Sequence, residues 1–143
     1  MLIISIEKRL IILANGDYSA EIRACRIKIA NLNGQIRTKR INLNTYNTFD
    51  LDMKDVDNKS NILLDDITTA RTIVYDSYND NGKHIGGDAL DVCYNQANQI
   101  ASTDVPAILQ EISRKIEEIN EDIRNLTLQR DAVQADLNWY LSR

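Results

Sequence analysis

The chain has 143 residues, 43% hydrophobic and 27% charged, a balance that predicts one folded helical domain with a modest core. Five glycines and one proline are too few for a many-stranded sheet, and one histidine with two cysteines leaves little for a metal centre or a nucleophilic catalyst. The formal charge of −4 is uneven: residues 1–41 hold eight Lys/Arg against three acids, and residues 42–143 hold nine against eighteen. A basic arm with an acidic remainder predicts charge-complementary contacts with a protein partner.

Residues 1–17 read as a short extra helix, with Ile3, Ile6, Leu10 and Leu13 on one face and Asn15-Gly16-Asp17 as its stop. Glu7, Lys8 and Arg9 interrupt the apolar start, so it makes a poor secretory signal, and no stretch is apolar enough to span a bilayer. With two thiols, this points to a cytoplasmic protein, export alongside a partner by a signal-independent route being the alternative.

The first long helix is expected over residues 18–80. Its apolar positions step by three and four through Ile22, Cys25, Ile29, Leu32, Ile36, Lys39, Leu43, Tyr46, Asp50 and Met53, the heptad seam of a coiled coil. The step then shortens near Val56 and resumes through Ser60, Leu63, Ile67, Ala70 and Val74, a stammer. The Asn-, Asp- and Thr-rich residues 42–61 are its weakest helix formers.

A glycine-rich turn over 81–87, with Ile85, Gly86 and Gly87 at its end, separates the arms. Asp88 is the expected cap of a second helix over 88–143, kinked or restarted at Pro106. Its seam reads Leu90, Cys93, Ala97, Ile100, then Leu109, Ile112, Ile116, Ile119, Ile123, Leu126, Arg130, Val133, Leu137 and Tyr140. The matched lengths predict an all-α fold, an elongated antiparallel helical hairpin, coiled-coil-like, with arms of about 80–90 Å. Such a hairpin keeps Cys25 and Cys93 too far apart for a disulfide, so both read as small seam residues. It also sets Lys39 level with Arg130, two cations that must snorkel outward or meet an acid.

Two features exceed what a simple hairpin needs. The outward positions of the first arm are Ala20, Ile27, Gly34, Ile41 and Thr48, none of them charged. They are either scattered surface apolar residues or a second contact line where another helix approaches closely. Around them lie Arg23, Arg26, Lys28, Arg37, Lys39 and Arg40. This basic set has little aromatic interleaving and the pI is near 5.0, so an acidic protein helix fits better than nucleic acid.

Chemistry is sparse. His84 stands alone in the turn, the Asp50, Asp52, Asp55 and Asp57 run lacks the order and terminal Glu of a calcium loop, and no phosphate-binding fingerprint occurs. The residues therefore imply no catalytic group, no cofactor and no metal, and a chain that is not an enzyme.

The layout of two long helices around Ile85-Gly86-Gly87, followed by Asp88, Ala89 and Leu90, resembles the WXG superfamily of type VII secretion, with Ile85 where that family has tryptophan. The arms, with IKIANLNGQI in the first and ISRKIEEINEDIRNL in the second, resemble the small helical accessory proteins encoded beside LXG-domain toxins. The family's C-terminal secretion signal, an aromatic followed four residues later by an acid, is absent near the end; Tyr46 and Asp50 have that spacing in mid-helix. The resemblance implies a targeting chaperone that packs against the helical N-terminal domain of an LXG toxin, with or without a second small helical protein. Ile27, Gly34 and Ile41 would then meet the partner, and Arg37 and Arg40 would set the register. The alternatives are a self-assembling coiled-coil scaffold that homodimerises, and a nucleic-acid-associated helical protein.

Overall fold

A computed structural model describes residues 16–82 and 87–143, with side-chain surroundings for 16–76 and 87–143. The described chain is an all-α helical hairpin built from α1 (Ser19–Gly82), α2 (Asp88–Gln99), a π-helical turn (Ile100–Asp104) and α3 (Val105–Leu141). α2, the π turn and α3 follow one another without a break, so the chain is not restarted at Pro106. The expected helix within 1–15, together with His84, Ile85 and Gly86, lies outside the described residues. Gly87 is buried with helical backbone angles and occupies the capping place ahead of Asp88, which is the first residue of α2.

The start of α1 is defined by local chemistry. Gly16 has a φ of +66°, in the left-handed region that glycine enters without a Cβ penalty. The Asp17 carboxylate then accepts the Ser19 N–H at 3.0 Å, and this bond holds its pKa below the usual value. The helix continues unbroken through residues 42–61 despite their composition. Thr45, Ser60 and Thr68 each turn their hydroxyl onto the carbonyl four residues back, and Asp50–Lys54 and Asp55–Lys59 pair at helical spacing.

The contacts divide the chain into two compact units: residues 16–45 with 116–143, and residues 46–115. In the first, Cys25, Leu32, Val133, Leu137 and Tyr140 form a buried cluster, against which Tyr18, Ile22, Ile29, Leu126 and Trp139 pack. The helices are antiparallel here, since Tyr18 near the start of α1 packs on Tyr140 near the end of α3, while Lys39 Nζ, further along α1, meets the earlier Asp122 Oδ2 at 2.6 Å. Asp122 precedes Arg130 by about two helical turns, so the two seam cations do not face each other. Lys39 is satisfied by an acid across the pair, whereas Arg130 bonds its neighbour Asp131.

The second unit has a thinner core. From Arg37 to Asp76 no α1 side chain is buried, and the facing helix contributes mainly Ala97, Ala101, Val105 and Ile112. The expected stammer is absent. The half-buried positions run on in regular steps through Met53, Asp57, Ser60, Leu64, Ile67, Arg71 and Val74, while Val56 and Leu63 are exposed. Apolar residues one place before the true seam had imitated a shortened step.

The irregularity lies in the other arm. Its seam is Leu90, Tyr94, Ala97, Ala101, Val105, Leu109 and Ile112, so Cys93 and Ile100, expected inside, are exposed. Three consecutive steps of four surround the π turn, where the Val105 N–H reaches back to the Ile100 carbonyl. A π turn accommodates one residue more than an α turn, and here it brings two heptad series of different phase onto one seam. It also precedes Pro106, whose ring would press on the carbonyl four residues earlier in a regular helix.

Candidate interaction surfaces

The structure turns the five outer positions Ala20, Ile27, Gly34, Ile41 and Thr48 of α1 to solvent, with Ile27 57% and Ile41 60% exposed. A Cβ built on Gly34 would meet nothing within 4 Å. Gly34 instead sits in a shallow depression with Ala30, Asn31, Gln35 and Thr38. The Thr38 and Thr45 hydroxyls bond the Gly34 and Ile41 carbonyls, both at 3.2 Å, so these two hydroxyls are satisfied within the helix. Arg23, Arg26, Arg37 and Arg40 are exposed beside it, and among the described residues no carboxylate pairs with any of them. The residues expected to act together thus share one helix face, with the arginines along one border of it.

A second surface was not anticipated. In the 46–115 unit, Phe49, Val56 and Leu63 repeat every seven residues along one edge of α1, next to the seam rather than in it. Phe49 and Tyr46 line a groove of about 360 Å³ with Ala107, Ile108, Glu111, Ile112 and Lys115 of α3. Ile100 falls on the same edge of the opposite arm, eight residues before Ile108 with the π turn absorbing the extra one. These five apolar side chains are between 40% and 53% exposed. The other edge of α1 in this unit, Asn47, Lys54, Asn61 and Thr68, is polar. The signal is legible in the sequence as the 49, 56, 63 repeat, of which the expected seam takes Val56 and Leu63 as its shortened step and omits Phe49.

A polar cluster ties α1 to α2. Arg71 Nε and the Tyr75 hydroxyl both donate to Asp91 Oδ1 at 2.6 Å, and the guanidinium lies 4.5 Å from the Tyr94 ring centroid. The Tyr75 and Asp91 bonds raise the pKa of the guanidinium above its ordinary value, so the group remains a fixed cation.

Neither cysteine is in a disulfide: Cys25 is buried and Cys93 exposed. Burial, reinforced by the Asp136 and Glu21 charges, pushes the Cys25 thiol pKa up. Thiol titration at pH 8 should therefore count one fast group in the native protein and two in denaturant. Equal fast reaction of both native thiols would contradict the burial of Cys25. Among the described residues no three His, Cys, Asp or Glu side chains gather as metal ligands, and no helix is long and apolar enough to cross a membrane. Comparison with protein families, with curated proteins and with solved structures finds no match to this chain.

Proposed function

We propose that this chain is a non-enzymatic accessory protein that binds a helical partner along the outer face of α1. The observation that carries the reading is the exposed Ile27–Gly34–Ile41 line bordered by arginines that have no carboxylate partner among the described residues. An amphipathic helix laid on this line would bury two isoleucines, approach closely at Gly34 and place acids against Arg37 and Arg40. Two copies meeting through this same line would oppose their arginines, which disfavours a symmetric homodimer there. Taken with the resemblance to the accessory proteins of type VII secretion, the partner is the helical N-terminal domain of an LXG toxin and the role is that of a targeting chaperone.

Co-expression with the neighbouring toxin domain tests this. A stable complex should co-elute, and Arg37→Glu with Arg40→Glu should weaken it by about tenfold or more, with a steeper loss as salt rises. Ile27→Asp with Ile41→Asp should abolish it while leaving the helix content unchanged. If the wild-type proteins do not co-purify, the proposal is wrong.

A further inference from the structure

The apolar groove of the 46–115 unit is a separate problem from the outer line of α1. A two-helix unit gains most of its stability by burying the seam between its helices. Here the α1 seam carries Asp50, Asp57 and Ser60, and no described α1 side chain of the unit, residues 46–76, is buried. Besides the apolar seam residues Met53, Leu64, Ile67 and Val74, a second set stands one position aside, Phe49, Val56 and Leu63, and faces the same way as Ile100 and Ile108. Both arms carry apolar groups on this one edge, beside the seam, whereas the unit's other exposed apolar residues, Leu51, Ile62, Ile73 and Val92, lie singly elsewhere on the helices. This is the arrangement of two helices of a three-helix bundle whose third member is missing.

We infer that this groove receives one helix of a separate protein, with an apolar seam of its own and basic flanks. The charge of the unit selects the flanks: residues 46–115 contain twelve Asp/Glu against six Lys/Arg. On the outer border of the Phe49–Val56–Leu63 edge, Asp52 and Asp66 have no ion pair among the described residues, while Lys59 between them is neutralised by Asp55 and Lys115 at the end of the groove is the one cation lining it. A second copy of this chain is a poor occupant. Groove against groove would set acidic borders together, and the basic outer line of α1 offers only Ile27 and Ile41, fourteen residues apart, with Asn31, Gly34 and Thr38 between them. Filling the groove needs an apolar residue every three or four positions. The inference rests on the reading that this chain serves helical partners, but it uses a different surface, so the two can fail independently.

Two synthetic four-heptad peptides, with leucine at every seam position and either lysine or glutamate at the flanks, test it against the full chain. The lysine-flanked peptide should bind about tenfold or more tightly than the glutamate-flanked one at low salt. Val56→Asp with Leu63→Asp should remove that binding, and because both side chains are exposed the variant should keep its circular dichroism. Ile27→Asp with Ile41→Asp, which tests the outer line, should leave peptide binding unchanged. The inference is overturned if neither peptide binds, if both bind equally, or if the chain alone is a dimer in light scattering that the Val56 and Leu63 substitutions dissolve.

Discussion

Tyr140→Ala should lower the stability of the 16–45/116–143 unit by about 3–5 kcal/mol, the range seen for truncating a large buried aromatic group. Tyr140 is 2% exposed, and its ring lies 5.1 Å from that of Trp139 and 5.7 Å from that of Tyr18. Removing it leaves a void bordered by two aromatic rings and by Leu137 and Val133, which are held by their own helix and cannot collapse freely. Trp139 is the only tryptophan, so its fluorescence reports this cluster in a urea titration. A midpoint shift of the expected size in fluorescence would support the assignment. A loss under about 1 kcal/mol would show that Tyr140 is not packed as described.

The same titration followed by circular dichroism need not coincide with fluorescence, because the two units are packed differently. The first buries Cys25, Leu32 and Ile36 from α1, whereas the second buries no α1 side chain among the described residues 46–76 and holds Asp57 and Ser60 on its seam. With fewer buried apolar contacts between its helices, the second unit should unfold at the lower urea concentration.

What the sequence revealed follows from how strongly each signal was physically determined. The seam from Ile22 to Met53 was readable because a core-facing position on a long helix must recur every three or four residues. Below Met53 the polar seam and the apolar edge exchange the expected chemistry. A reading that follows hydrophobicity therefore steps onto Val56 in place of Asp57, and the regular spacing from there selects Leu63 over the equally apolar Leu64. Cys93 and Ile100 were misplaced for the related reason that a π turn carries no sequence mark of its own beyond the nearby Pro106. The pairing of Lys39 with Asp122 needed the inter-helix register, which two arms of similar length leave loose by a turn or two. Periodicity placed Ile27, Gly34 and Ile41 on one outer face, which the structure leaves exposed; the Phe49–Ile108 groove could emerge only when both helices were seen together.

The π turn yields the second large expected effect. Deleting Ser102 places Val105 three positions after Ala101, and the seam from Leu90 to Tyr140 then alternates regular steps of four and three. Ser102 is exposed and contributes only a 2.9 Å bond to Asn98, so the deletion removes no core group. The π turn then becomes an α turn, and Pro106 enters a regular helix interior at a cost of about 3 kcal/mol. Deletion of Ser102 alone should therefore destabilise the protein by about that amount, and adding Pro106→Ala should restore the wild-type stability to within about 1 kcal/mol. Deleting exposed Asn120 instead rotates everything beyond it by about 100° and takes Ile123, Leu126, Val133, Leu137 and Tyr140 off the seam together. That variant should not fold, even with Pro106→Ala. Thermal melts of the four proteins distinguish a spare residue held in the π turn from one the core requires. The first reading is wrong if the Ser102 deletion with Pro106→Ala behaves like the Asn120 deletion.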